Sequence, residues 1–220
     1  PYNEQIRQLN RQVGAVFPRQ SLKDASGASQ LDAKTQVATL HGVSMLDAAQ
    51  YPLETNIALA LVHEPGGEND RALVKVAVAP PINLPGTIAL AAAQAARDDG
   101  NAPNAVMAAA ACLVGPKRME PGRRAARALV EGFSVAGLKD ALDETFDFAS
   151  VILDDESRSL LVGEAPDAGA EAMLAGLRER GVRSAFVRYL EGLDGHPTAD
   201  AVLAAVTVTL AWGSLVRRRI

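Results

Sequence analysis

Two alanine-rich stretches decide the fold of this chain: residues 86–97, GTIALAAAQAAR, and residues 104–114, NAVMAAAACLV. Alanine has the highest intrinsic helix propensity, and Gly100 and Gly115 provide a helix stop after each stretch. Both predicted helices are apolar on nearly every side, and a helix without a polar face has to be covered all round. The two stretches therefore predict a core or an interface that is built from helices.

The remaining sequence predicts further helices with recognisable ends. We expect them over residues 3–17, 45–50, 52–64, 121–131, 134–148, 167–180, 185–193 and 200–217. Ser44, Ser134 and Thr198 are placed to act as N-caps. Residues 71–79 fit either a strand, by the alternation of their valines, or a capped helix, while residues 36–40 fit a short strand. Residues 152–162 fit no single element.

These elements predict a fold that is all-α, with at most a short β-hairpin near the N-terminal third. We expect one domain over residues 1–220, with a smaller subdomain at about 116–195. Hydrophobic residues make up 48% of the chain and aromatic residues only 4%. Small apolar side chains of this kind let helices approach closely, so the composition favours packed helices over a sheet sandwich.

Charge and cysteine usage exclude several classes of protein. A net charge of −4 argues against non-specific binding of nucleic acid, which needs a basic surface. Cys112 is the single cysteine, so no disulfide can form within the chain, and we expect a cytoplasmic protein. The polar N-terminus shows no signal-peptide core. Residues 201–216 carry no charge, but the run is shorter than the ~20 residues of a membrane span, and we expect a buried helix there.

The apolar helices also predict an assembly. The last helix joins the two alanine-rich ones, and three such helices are difficult to bury in a monomer of 220 residues. A homodimer in which these helices pack across a two-fold axis is the simplest solution. We therefore expect a large, apolar and obligate interface.

Few residues point to chemistry on their own. His41, His63 and His196 match no zinc-ligand spacing, so we expect no metal site. We interpret His63 as a surface histidine and Cys112 as a buried, inert thiol. Residues 115–124, GPKRMEPGRR, form either an anion-binding loop at a helix N-terminus or a solvated basic turn, and both interpretations stay open.

Three parts of the sequence resemble one known family. Residues 81–132 place a proline-containing lead-in before two alanine-rich helices and a Gly-Pro loop, as citrate synthases and small citryl-CoA lyases do. Residues 40–65, from Leu40-His41-Gly42 onwards, are similar to the opening hairpin and first helices of that family. Thr198-Ala199-Asp200 and the helix after it resemble the family's Asn-x-Asp segment. The resemblance implies an all-helical homodimer that acts on acyl-CoA.

The family uses two histidines and an aspartate to form an enol of an acyl-CoA and to act on a carbonyl partner. By position, Asp200 matches the aspartate, while Arg118 and Glu164 stand where the histidines are expected. The resemblance therefore implies a divergent member that lacks both histidines. It assigns Asp200, Glu164 and Arg118 to catalysis. Substrate or coenzyme A binding is expected from Gly115, Lys117, Arg118, Arg123 and His41.

Two functions follow from these replacements. The chain either binds an acyl-CoA or a polycarboxylate and makes or breaks a carbon–carbon bond, or it is a non-catalytic structural or regulatory homologue. Arginine cannot act as a base at neutral pH, but it can stabilise an oxyanion or a carboxylate. No covalently bound cofactor is expected, and a coenzyme A thioester is the expected substrate. An unrelated helical dimerisation module is the third possibility.

Overall fold

The structure, a computed structural model, describes residues 29–32, 34–62, 64–78, 88–113 and 116–217. The predicted helix at residues 3–17 lies outside the described residues, as do His63 and Gly115. The described part contains 10 α-helices, which confirms the predicted all-α class. They are α1 Met45–Ala48, α2 Leu53–Val62, α3 Glu68–Val78, α4 Ile88–Asp98, α5 Pro103–Cys112, α6 Pro116–Val135, α7 Asp155–Leu161, α8 Ala168–Glu179, α9 Ala185–Glu191 and α10 Ala199–Val216.

Two small antiparallel sheets accompany the helices. The first contains β1 Ser29–Leu31, β2 Ala38–Leu40 and β3 Val43–Ser44, in that order. Its β2–β3 pair is the hairpin expected in the N-terminal third. The second sheet pairs β4 Val162–Gly163 with β5 His196–Pro197. The sequence did not predict this second pair, because a two-residue strand is too short to show the alternation that marks a strand.

Several helix ends lie where the capping residues predict them. The Ser44 hydroxyl accepts a hydrogen bond from the Leu46 amide at 3.2 Å, at the start of α1. The Thr198 hydroxyl accepts from the Ala201 amide at 3.1 Å, at the start of α10. Each cap satisfies an amide that has no partner inside the helix. The ambiguous segment after residue 70 is the helix α3, whose Val74 and Val76 are buried.

Two predicted boundaries around α6 are wrong. Residues 115–124 were expected to form a loop, yet α6 begins at Pro116 and continues through Pro121. Ser134 was expected to cap a new helix over 134–148, but it lies in the last turn of α6. Gly137 has a φ of 80°, and the Leu138 amide donates to the Phe133 carbonyl at 3.1 Å, which is the hydrogen bond of a Schellman ending. Residues 136–147 then run without an α-helix.

The helix α10 occupies the centre of the described fold. It packs against α2, α3, α6, α7, α8 and α9, and its side chains Ala201, Val202, Ala205 and Val206 are fully buried. This helix is long and apolar enough to cross a membrane, but the surrounding helices cover it within the fold. The core thus contains the helix that the uncharged run at residues 201–216 predicts.

An aromatic cluster packs beside the central helix. Phe133 lies with its ring centroid 4.5 Å from that of Phe186 and 5.2 Å from that of Tyr189. Phe186 in turn meets Trp212 edge-on, at 5.1 Å. Phe133, Phe186 and Trp212 are at most 1% exposed, so they connect α6, α9 and α10 through one apolar contact surface. Aromatic pairs in such tilted and edge-to-face arrangements contribute about 0.5–1.5 kcal/mol each beyond the area they bury.

The two alanine-rich helices are less covered. The helices α4 and α5 pack against each other, and neither has a buried residue. Ile88 is 76% exposed and Met107 is 72% exposed. Cys112 is also exposed, so the prediction of a buried thiol is wrong within the single chain. Of the three apolar helices, α10 is covered by its own chain, and α4 and α5 present apolar side chains to solvent.

Candidate functional site

An arginine and an aspartate from two different helices meet at the start of α10. Arg118, in the first turns of α6, donates from Nη1 to Asp200 Oδ1 at 3.0 Å and to Oδ2 at 3.3 Å. Asp200 lies in the first turn of α10. The two side chains are 42% and 27% exposed, so a ligand can reach both. The structure therefore brings together two of the three predicted catalytic residues.

A glycine lies where the two helices meet. Gly122 lies one helical turn after Arg118, on the same face of α6. A Cβ atom built at Gly122 would lie 3.8 Å from the Asp200 carbonyl oxygen and 3.8 Å from Asp200 Oδ1. These are ordinary van der Waals distances, so α6 and the start of α10 are in contact beside the Arg118–Asp200 pair, and an alanine would fit at residue 122.

Glu164 lies in a segment that is fastened to the start of α10. It directly follows β4, whose Gly163 pairs with His196 of β5. The Thr198 amide donates to the Leu161 carbonyl at 3.0 Å, just before this segment. Glu164 is exposed, so its carboxylate can reach a ligand or solvent. The structure brings the segments that carry Glu164 and Asp200 together.

Asp167 closes the same segment from its other end. Its Oδ1 accepts from the Gly169 and Ala170 amides at 2.9 and 3.1 Å, and so caps α8. Its Oδ2 accepts from the Ala199 amide at 2.8 Å. One carboxylate thereby satisfies amides at two helix N-termini, where a negative charge is favourable. Sequence reasoning identified the start of α8 but not this bond, because the two ends are 32 residues apart.

The basic residues of α6 are largely paired with acids. Arg123 donates to both carboxylate oxygens of Glu120, at 2.9 and 2.6 Å. This hydrogen bond lowers the pKa of Glu120, and it raises the pKa of Arg123. Arg124 contacts Glu156 of α7. Lys117 is exposed and forms no ion pair within the described residues. The predicted binding residues Lys117 and Arg123 thus lie on the helix that carries Arg118.

His41 lies elsewhere. It occupies the turn between β2 and β3 with a φ of 46°, and its Nε2 is 3.4 Å from the Ala60 carbonyl oxygen in α2. The end of α2 meets the end of α10, because the Ser214 hydroxyl donates to the Val62 carbonyl at 2.8 Å. Asp200 is at the opposite end of α10, about 20 Å away along a helix that rises about 1.5 Å per residue. Within one chain, His41 is not brought to the Arg118–Asp200 pair.

The described residues contain no cluster of metal-binding side chains. Within them, no group of three or more His, Cys, Asp or Glu side chains is arranged to hold a metal ion. The groups that the site does offer are a guanidinium and two carboxylates. Such groups bind anionic ligands and exchange protons.

Together these features define a class of fold: a helical protein whose central helix begins with an acid that is paired to an arginine of a crossing helix. Among solved structures, the chain is similar to citryl-CoA lyase from Hydrogenobacter thermophilus, with a TM-score of 0.55 and 14% identity. The match covers 88% of this chain and 84% of that one. No family model and no curated protein matches the sequence. The similarity shows a citrate synthase/citryl-CoA lyase-like fold, as the sequence resemblance predicted.

Proposed function

We propose that the protein binds an acyl-CoA or a polycarboxylate at the Arg118–Asp200 pair and makes or breaks a carbon–carbon bond through an enolate. The observation that carries this proposal is the pair itself, which lies at the start of the central helix in a citryl-CoA lyase-like fold. Only Nη1 of Arg118 contacts Asp200. The Nε and Nη2 donors are left for a substrate carboxylate or a thioester oxygen, which a guanidinium binds in a bidentate manner.

Each side chain has a distinct part in the proposed reaction. In the direction of cleavage, Glu164 takes the proton of a substrate hydroxyl, and the electron pair of that O–H bond forms a carbonyl. The carbon–carbon bond breaks, and its electrons form the enolate of the acyl thioester. Arg118 stabilises the enolate oxygen, and Asp200 relays a proton from solvent to the α-carbon while Glu164 returns its own proton to solvent. Formation of the bond runs the same steps in reverse.

The alternative is a non-catalytic, citryl-CoA lyase-like protein that binds a metabolite without turnover. The observation that favours it is the ion pair, because both Asp200 oxygens already accept hydrogen bonds from the Arg118 guanidinium, which leaves them less available to take a proton from a substrate. The same contacts that would hold a ligand therefore also oppose proton abstraction. Turnover measurements distinguish the two functions.

The proposed assembly is a homodimer formed through α4 and α5. Ile88 and Met107 on these helices, and Leu113 directly after α5, are large apolar side chains that are 76%, 72% and 48% exposed. A second copy of the same surface would remove them from water, and a two-fold axis makes such a surface self-complementary. We also propose that the protein is cytoplasmic.

The decisive experiment measures both binding and turnover. Calorimetry with acetyl-CoA, citrate and oxaloacetate tests binding, and release of acetyl-CoA from citryl-CoA tests cleavage. Arg118→Gln is expected to weaken binding at least ~10-fold, since it removes a charge-assisted contact. Asp200→Asn is expected to reduce turnover by about 10²–10⁴-fold, the usual contribution of an acid–base group.

Matched variants serve as controls. Arg127 lies on the same helix as Arg118, and Asp194 is an exposed acid outside the site. The variants Arg127→Gln and Asp194→Asn are both expected to bind and turn over ligands as the parent protein does. Binding without turnover supports the non-catalytic alternative. The absence of both heat and thermal shift with all three ligands would overturn both functions.

A further inference from the structure

A cavity that includes neither Arg118 nor Asp200 lies between the segment before α7, α7 itself and the end of α9. It has a volume of about 400 Å³, and most of its lining is apolar. The lining residues are Phe148, Ala149, Val151, Ile152, Leu153, Arg158, Tyr189, Gly192 and Leu193. A volume of this size is within the range of small-molecule sites, about 300–1,000 Å³.

The cavity contains two polar groups that the fold does not use. Tyr189 is 9% exposed, and its hydroxyl forms no hydrogen bond within the described residues but retains contact with solvent. Arg158 forms no ion pair with any carboxylate of the described part. Seven other arginines of the described part contact an acid, whereas the guanidinium of Arg158 has no such partner to compete with a ligand.

The two polar groups line the same cavity. Burial raises the pKa of Tyr189, while the charge of Arg158 acts in the opposite direction. The hydroxyl therefore stays protonated and can donate a hydrogen bond beside the guanidinium. A carboxylate has two oxygens. The guanidinium of Arg158 can donate to one of them and the hydroxyl of Tyr189 to the other.

The apolar lining is itself incompletely covered. Ile152 is 85% exposed at the rim of the cavity, and Leu153 and Leu193 are half-buried beside it. Removal of such side chains from water contributes about 25 cal/mol per Å² of apolar area. An apolar tail that lies across Ile152 and Leu153 would gain this contribution, whereas a fully polar anion such as phosphate would not.

We propose that this cavity binds a small monocarboxylate with an aliphatic tail, with the carboxylate held by Arg158 and Tyr189 and the tail packed on Ile152, Leu153 and Leu193. The proposal is independent of the function proposed for the Arg118–Asp200 pair. The helix α7 that carries Arg158 also contacts α6, through Glu156 and Arg124.

The test uses hexanoate as the probe and the full chain as the protein. Titration is followed by calorimetry and by methyl NMR. Saturable binding is expected, with the methyl resonances of Ile152, Leu153 and Leu193 shifting and that of the fully buried Leu59 unchanged. Arg158→Gln, which removes the charge but keeps most of the stem, should weaken binding at least ~10-fold. Tyr189→Phe keeps the ring and should weaken binding about 3–10-fold.

Further ligands and a matched variant make each outcome decisive. Hexanamide and inorganic phosphate should bind at least ~10-fold more weakly than hexanoate, since one lacks the charge and the other the tail. Arg180→Gln, which substitutes an exposed arginine at the C-cap of α8 outside the cavity, should leave binding unchanged. The proposal is overturned if hexanoate shows no saturable signal up to about 10 mM. Equal binding of hexanamide or phosphate, or equal weakening by Arg180→Gln, would overturn it too.

Discussion

The Asp167 carboxylate accepts a hydrogen bond from the Ala199 amide at 2.8 Å, one residue before Asp200. The same carboxylate caps α8 through the Gly169 and Ala170 amides. A single side chain therefore connects the segment that carries Glu164 to the helix that carries Asp200. This connection is part of the fold and does not depend on which ligand the site binds.

The first prediction concerns this connection. Asp167→Ala leaves three partly buried amides without their acceptor, so the free energy of unfolding should fall by about 2 kcal/mol. Asp167→Asn retains one acceptor oxygen and should lose about half as much. Urea unfolding measures both, with Asp155→Ala as the control, because the Asp155 side chain forms no hydrogen bond within the described residues. Equal stability of Asp167→Ala and the control would contradict the assigned role.

A second prediction concerns the turn between α2 and α3. A Cβ atom at Gly66 would lie 2.8 Å from the Cβ atoms of both Ala58 and Asp70. Ala58 is fully buried and cannot move aside, so Gly66→Ala should lower the free energy of unfolding by about 1–3 kcal/mol. Gly67→Ala is the matched control, since the nearest atom to its Cβ is 3.8 Å away. Thermal unfolding of the two variants should separate them clearly, and equal melting temperatures would refute the steric argument.

The third prediction uses a buried hydroxyl pair. The Ser184 and Thr209 hydroxyls are 2.6 Å apart, and the Thr209 hydroxyl donates to the Ala205 carbonyl. Ser184 must then donate to Thr209, so Thr209→Val leaves the buried Ser184 hydroxyl hydrogen without an acceptor, at a cost of about 1–3 kcal/mol, while Ser184 Oγ still accepts from the Val187 amide. Thr207→Val, on the exposed face of the same helix, should cost much less. In a double-mutant cycle, Ser184→Ala and Thr209→Val should deviate from additivity by about 1 kcal/mol; strict additivity would argue against the pair.

The fourth prediction is a dependence on pH. Burial raises the pKa of Tyr189 above its ordinary value of 10.0, despite the opposing charge of Arg158. The unfolded chain then releases the phenolic proton before the folded chain does. The contribution of Tyr189 to the free energy of unfolding is therefore complete below about pH 10, and it declines as the pH rises above that value.

Denaturant unfolding of Tyr189→Phe checks this sign. The variant does not titrate at residue 189, so the parent protein should lose more stability than the variant between about pH 8 and pH 11. Tyr51→Phe, at an exposed position, should follow the parent protein. A parallel decline in the parent and in Tyr189→Phe would contradict the prediction.

The fifth prediction tests the assembly. Light scattering should find the parent protein as a dimer at micromolar concentration. Met107→Glu or Ile88→Glu places a charge in the proposed apolar interface and should weaken association at least ~10-fold, since burial of an unpaired charge is costly. Leu46→Glu substitutes a residue that is 80% exposed and lies outside α4 and α5, and it should remain dimeric. A monomeric parent protein would refute the homodimer.

The pairing of Arg118 with Asp200 could be predicted only in part. The sequence resemblance placed both residues in one site, but it treated residues 115–124 as a loop. In the structure residues 116–124 are helical, because the turns that follow bury Ala125, Leu129 and Phe133. Burial of that apolar face outweighs the hydrogen bond that Pro121 cannot donate. His41 is the opposite case. The sequence resemblance assigned it to the site, but within the chain the structure does not place it near Asp200.

The sequence by itself determined the helical class, the caps at Ser44 and Thr198 and the apolar character of α4, α5 and α10. These are local properties, set by propensity, periodicity and capping within a few residues. Only the tertiary structure decided that α10 is covered by its own chain and that Asp167 reaches Ala199. It also decided that Arg118 meets Asp200 across 82 residues of sequence. Such contacts depend on which faces pack together, and local preferences do not encode that choice at any single position.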